Sequence, residues 1–195
     1  MLQSVRNVTD CRILAGDGEI GRVSDVYFDD EKWVVRYLIV DTGSWLRDRR
    51  VLVSPHAVRL IDVAARAIAV TLSREQVKNS PDMDTRQPVS RQQEAEYYRY
   101  YGYRPYWGLA TYWAWGAIPI VAPVGDPAEE EAKAVQAAER STDSHLRSTQ
   151  EVLGYHIAAT DDSIGHAEDL LFDDETWAVR YLVVDTRNWW PGKHV

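Results

Sequence analysis

Phe28-Asp29-Asp30-Glu31-Lys32-Trp33-Val34-Val35-Arg36-Tyr37-Leu38-Ile39-Val40-Asp41-Thr42 returns as Phe172-Asp173-Asp174-Glu175-Thr176-Trp177-Ala178-Val179-Arg180-Tyr181-Leu182-Val183-Val184-Asp185-Thr186. The two stretches differ only at Lys32/Thr176, Val34/Ala178 and Ile39/Val183. They set an offset of 144 positions (172 − 28). The same offset pairs Ser4 with Ser148, Val8 with Val152, Ile13 with Ile157, Gly21 with Gly165, Asp25 with Asp169 and Trp45 with Trp189. A small domain present twice is the expectation.

Around the first copy the composition alternates between strands and turns. Cys11 to Ala15, Ile20 to Phe28, Trp33 to Asp41, Arg49 to Val53, Ala57 to Asp62 and Ala67 to Leu72 are rich in β-branched and aromatic residues. Gly16-Asp17-Gly18, Ser54-Pro55 and Val63-Ala64-Ala65 break them. Short capped helices are expected after Ser4 and after Ser148. Six short strands predict an all-β chain, a small six-stranded antiparallel barrel that occurs twice.

The acidic turn Asp29 to Lys32 sets a register if Phe28 faces Trp33. Asp25 then lies opposite Arg36, and Asp169 opposite Arg180, as two cross-strand ion pairs. Alternation places Val26, Phe28, Trp33, Val35, Tyr37 and Ile39 on the interior face. The other face carries Val23, Asp25, Tyr27, Val34, Arg36, Leu38 and Val40. It is too apolar to face water, so the other repeat, another element or a partner is expected to cover it.

Four segments result: a first barrel over 2–80, an aromatic, Pro- and Gly-containing linker over 86–125, a short helical spacer over 126–142 and a second barrel over 146–195. Tyr106 to Gly125 carries no charge and meets the length of a membrane span, but Gly108, Gly116, Pro119 and Pro123 interrupt it. A linker without a fold of its own is the expectation there, and membrane contact is not favoured. Asp126 as N-cap, Pro127 and Glu129 to Glu131 begin the spacer helix. Val195 corresponds to Val51, so the second copy is expected to be incomplete, and to need cover from the first barrel, the spacer helix or another chain.

The chain has 195 residues and a net charge of −8, which opposes binding to phosphate backbones and argues against nucleic acid as a partner. The lone Cys11 leaves no intramolecular disulfide. Met1 to Arg6 lacks the form of a signal peptide, and a cytoplasmic location is the expectation.

Catalytic and cofactor motifs are weak. Gly16-Asp17-Gly18-Glu19-Ile20-Gly21 fits G-x-G-x-x-G, yet a strand follows where a dinucleotide site needs a helix, and Asp17 and Glu19 would repel a pyrophosphate. Asp29-Asp30-Glu31 reads as a solvated turn, without further ligands at calcium-loop spacing. His56, His145, His156, His166 and His194 lack the spacing of a zinc site, and Ser54-Pro55-His56 lacks a nucleophile context. No catalytic, cofactor or metal residue is assigned. Trp45, Trp189 and Trp190 occupy hairpin-tip positions and are the candidate partner contacts.

The run Gly-x-x-x-Asp-x-x-Phe-Asp-Asp-Glu-x-Trp-x-Val-Arg-Tyr-Leu-x-Val-Asp-Thr, at Gly21 to Thr42 and at Gly165 to Thr186, resembles the PRC-barrel family. So do Arg49 to Pro55 and Asn188 to Lys193. The likeness is to the tandem bacterial type, similar to the cytoplasmic domain of the photosynthetic reaction-centre H subunit. It implies a six-stranded barrel used for interaction and assembly: beside the quinone-reducing site in that subunit, against a ribosomal protein in a ribosome maturation factor. Neither the N-terminal membrane helix of the one nor the extra domain of the other is expected here, so neither specific role is expected to transfer. The resulting expectation is a non-enzymatic module that binds a protein partner or itself. The alternative is a membrane-peripheral, reaction-centre-like component that affects electron or proton transfer to quinone.

Overall fold

The computed structural model describes residues 1–81, 89–107, 145–160 and 163–186. Strands dominate: β1 (Leu2–Ser4), β2 (Arg12–Ala15), β3 (Gly18–Asp29), β4 (Val34–Asp41), β5 (Arg50–Val53), β6 (Val58–Asp62), β7 (Ala67–Val70), β8 (Leu146–Ser148), β9 (His156–Ala158), β10 (Ser163–Asp173) and β11 (Val179–Asp185). The helices are α1 (Val5–Val8), α2 (Arg74–Lys78), α3 (Arg91–Tyr101) and α4 (Thr149–Val152). Each expected strand of the first copy appears within a few residues of its sequence limits. The chain is therefore strand-rich with a minority of helix.

A seven-stranded sheet runs β5-β4-β3-β2-β7-β6, with β8 added beside β3. A four-stranded sheet runs β1-β10-β11, with β9 also on β10. Among the described residues neither closes on itself, and β2 pairs with β7 in parallel, which departs from the expected closed antiparallel barrel. The G-x-G-x-x-G segment is the β2–β3 hairpin, with Ala15 opposite Gly18, as its flanking strands require.

The core lies on both sides of β3 and β4: Val26, Phe28, Val35, Tyr37 and Ile39 are buried, but so are Val23, Val34, Leu38 and Val40 of the expected outer face, and Val26 stands opposite Leu38. Trp33 is not buried. It is 42% exposed, a correction to its expected interior place. The cause is local: Asp29 Oδ1 accepts from the N–H groups of Glu31 and Lys32, and Trp33 takes φ 55, so it belongs to the turn. Phe28 consequently faces Val35, and bulges between Val23 and Asp25 and between Tyr27 and Phe28 bring Asp25 opposite Ile39.

The aromatic segment also differs from expectation. Within it, Arg91–Tyr101 is a helix with a Ser90/Gln93 capping box and Gly102 at φ 70 as its C-cap. Its Tyr97 and Tyr98 are buried against the sheet. The bulk of the uncharged run, the helix expected over 126–142 and residues 187–195 lie outside the described residues. Among the described residues, no helix is long and apolar enough to cross a membrane.

Gly21 lies against the end of β4, where an added Cβ would stand 2.0 Å from the Asp41 carbonyl oxygen. At Gly165 the same atom would stand 2.0 Å from the Asp185 oxygen. Backbone cannot yield as a flexible side chain does. Gly21→Ala is expected to lower the stability measured by urea unfolding by about 1–3 kcal/mol, as overpacking does. Gly16→Ala, with nothing within 4 Å, is the matched control and is expected to shift the midpoint little.

Candidate functional site

Two constellations stand out, a seam between the similar halves and a buried polar cluster under α3. At the seam the arms change places. β1 of the first half pairs with β10 of the second, and β8, which leads the second half, pairs with β3 of the first. Gln3 opposes Phe172 and Phe28 opposes Arg147, so the two ladders share one register. Val34 and its counterpart Ala178 face each other, flanked by Val35 N–H to Trp177 O and Val179 N–H to Trp33 O, both 2.8 Å. An approximate two-fold axis passes between them.

The carboxylates follow the same exchange. Asp25 accepts from the Ser148 hydroxyl, from Thr149 Oγ1 at 2.9 Å and from Gln150 N–H at 3.3 Å, so it anchors the first turn of α4. Asp169 accepts from the Ser4 hydroxyl and from Arg6 N–H, and anchors α1. Ser4 and Ser148 are themselves the N-caps of those helices. The expected pairs Asp25–Arg36 and Asp169–Arg180 are thus corrected. Asp25 faces Ile39 and Asp169 faces Val183, because the turn sits one residue further along the chain than expected and the bulges add a residue. Arg36 pairs with Asp29 at 3.3 Å, and Arg180 donates to Thr176 Oγ1 at 3.3 Å.

The second constellation begins with that buried guanidinium. Arg36 is fully buried, and its guanidinium lies 3.8 Å from the centre of the Tyr106 ring. Glu94 on α3, also fully buried, accepts from Arg91 Nη1, Tyr37 Oη and Tyr106 Oη, each at 2.8 Å. Burial pushes Glu94 up to about 7, against the opposing pull of Arg91 and the two hydroxyls. Nearby, Ser54 N–H donates to Tyr97 Oη, Ser54 Oγ lies 3.0 Å from His56 Nδ1, and the His56 ring stacks on Tyr103 at 4.8 Å. Burial, helped by the Arg36 charge, lowers His56 to about 4. Ser54 and His56 are therefore part of an aromatic floor; the serine's backbone and side chain are both engaged in packing.

The other candidates are placed as follows. Trp45 is partly buried, donates Nε1–H to Ile20 O at 2.6 Å, and lies under the Arg74 guanidinium at 4.3 Å. Trp189 and Trp190 lie outside the described residues. Asp30 holds Arg147 at 2.8 Å across the seam and Asp29 serves the turn and Arg36. His156 and His166 come together across the ladder with ring centres 4.0 Å apart. Among the described residues, no group of three His, Cys, Asp or Glu is arranged to hold a metal ion.

The Glu94 cluster was not anticipated from the sequence. Its signal was present in Ser90-x-x-Gln93, then Glu94, Tyr97, Tyr98 and Tyr101 at helical spacing, ended by Gly102. The reciprocal anchoring by Asp25 and Asp169 had no comparable signal.

The strand-rich first half defines the class, a small β domain that presents its hairpin to a neighbour. Residues 3–77 match the family described as PRC-barrel domain, and this segment is such a domain. A comparison with curated proteins gives no match.

Asp25→Ala is expected to cost about 1–2 kcal/mol, the usual loss when a helix start is deprived of its acceptor. Hydrogen exchange should quicken at Gln150 and Glu151 and stay unchanged in β6 and β7. Unaltered exchange at those two amides would contradict the anchoring role.

The cluster also has a pH signature. Glu94, raised from about 4.5 to about 7, contributes stability that is full below about 4.5 and is lost as pH rises through about 7. His56, lowered from about 6.5 to about 4, contributes stability that is full above about 6.5 and is lost as pH falls through about 4. Each limb is worth about 3 kcal/mol. Urea midpoints followed across this range should flatten on the alkaline side in Glu94→Gln and on the acid side in His56→Gln. Profiles parallel to the unsubstituted chain would refute both assignments.

Proposed function

We propose that the chain is a cytoplasmic, non-enzymatic tandem PRC-barrel protein, the second half a diverged copy of the first, acting as a protein-interaction and assembly module. One observation carries this reading: the strand Val179–Asp185 is apolar apart from Arg180 and Asp185, yet Tyr181 is 59% exposed where its counterpart Tyr37 is fully buried. Exposed aromatic surface of this kind is stabilised by contact with another polypeptide. The polar groups near the sheet support the same reading, since Ser54 is engaged with His56 and Glu94 with Arg91.

The second reading, a membrane-peripheral component resembling the reaction-centre H subunit, has one observation in its favour. Glu94 is a buried acid with an affinity for protons near neutral pH, set among tyrosines and arginines. Such a group suits a protein that handles protons beside a redox cofactor.

Capture with the tagged full chain from cells of its source, followed by mass spectrometry, tests the proposal. A stoichiometric protein partner, or the chain itself, in the soluble fraction is the expected result. Sedimentation with membranes, and binding to liposomes, would favour the second reading instead. Recovery of the chain as a monomer with no partner in either fraction would defeat both.

A further inference from the structure

Arg36-Tyr37-Leu38 and Arg180-Tyr181-Leu182 are the same three residues at matching places in two hairpins. Their surroundings differ. Around the first, α3 supplies Glu94 to the Tyr37 hydroxyl, Tyr97 meets the Tyr37 ring edge-on at 5.4 Å, and Tyr106 lies against the Arg36 guanidinium. Around the second, Arg180 and Tyr181 are exposed, and Leu182 is only partly buried.

Charge balance differs too. Arg36 has the carboxylate of Asp29, with that of Glu94 close by. In the second hairpin Asp173 is taken up by Thr176 and Glu175 N–H groups and by the Thr176 hydroxyl. Arg180 is left on the neutral Thr176 Oγ1, and among the described residues it forms no ion pair. In the first half α3 supplies the acceptor for the tyrosine and Asp29 the ion pair for the arginine; among the described residues neither Arg180 nor Tyr181 has such a carboxylate.

We propose that the Arg180–Tyr181 surface of β11 is a docking site for an amphipathic helix of a partner protein that carries a glutamate one turn before aromatic residues, as α3 does with Glu94, Tyr97 and Tyr98. The proposal rests on the interaction-module reading and names its surface and the chemistry of its partner. The glutamate pairs with Arg180 and accepts from the Tyr181 hydroxyl, and the aromatic residues cover the Tyr181 ring. Helix-in-groove recognition of this type is read through anchors one turn apart. Charge complementarity selects a glutamate, rather than a basic residue, at the helix position that faces Arg180.

The test uses the full chain and a fluorescently labelled peptide of residues 89–107 as the probe. Saturable binding by anisotropy is expected, weakened at least about tenfold by Tyr181→Ala or Arg180→Glu, a loss of about 1.4 kcal/mol. A peptide carrying Glu94→Arg should bind the Arg180→Glu chain more tightly than it binds the unsubstituted chain. A photocrosslinker at peptide position 98 should mark residues 179–183. Both substituted residues are exposed, so urea midpoints near that of the unsubstituted chain should accompany these losses. No saturable binding, equal affinity for all variants, or crosslinks confined to Tyr37, Ser54 and His56 would overturn the proposal. If the capture experiment above still yields its partner with Tyr181→Ala, the interaction reading stands and this surface is not its site.

Discussion

Reciprocal anchoring by Asp25 and Asp169 is the constraint on which the arrangement of the two halves depends. Each carboxylate sits at a bulge of one long strand and takes hydrogen bonds from a serine hydroxyl and a backbone N–H at the start of a helix in the other half. The first N–H groups of any helix have no partner within it. Here α1 and α4 are only four residues long, too short to hold themselves, so an external acceptor decides whether they form at all. Because the acceptor belongs to the opposite half, the local structure of each arm is conditional on the association. The strands β1 and β8 then lie down as edge additions beside β10 and β3, which covers sheet edges that would otherwise stand open.

The burial of Arg36 dictates a second set of contacts. A guanidinium removed from water needs both charge and hydrogen-bond compensation. Asp29 supplies one carboxylate and Glu94 a second acid, raised to about 7 by burial, while Arg91 joins as a second cation. Tyr106 serves twice, as a face for Arg36 and as a donor to Glu94. Helix α3 is therefore fixed on the sheet by polar chemistry as well as by the burial of Tyr97 and Tyr98. Arg180 remains in contact with solvent, which screens its charge while that surface is uncovered.

The strands of the first half were legible because period-2 alternation and turn residues are local signals, and each strand carries its own. The β3–β4 register was not, since it depends on Trp33 adopting a left-handed backbone and on two bulges that no alternation encodes. This one error moved Trp33 to the interior and aligned Asp25 with Arg36. The helix α3 was legible in principle from its capping box and aromatic spacing, but the surrounding Gly, Pro and Tyr content favoured a linker. The exchange of arms was beyond any single-sequence signal, because Ser4 and Ser148 look like ordinary N-caps whichever half supplies the acceptor.

The pattern of difference between the two similar stretches follows from the seam. At an approximate two-fold axis a residue meets its own counterpart, so side-chain volume there is shared between two positions. Val34 against Ala178 fits this, the larger side chain in one half opposing the smaller in the other. Lys32 and Thr176 differ where the needs of the halves diverge: Thr176 bonds both Asp173 and Arg180, while Lys32 reaches Glu31. The Asp-Asp-Glu turn, by contrast, is retained in both because Asp29 and Asp173 fold their own turns, and Asp30 and Asp174 each receive the leading arm of the other half. The two stretches can therefore be nearly identical and still differ in what covers them, since the residues they share serve the turn and the seam, and the cover comes from sequence outside both.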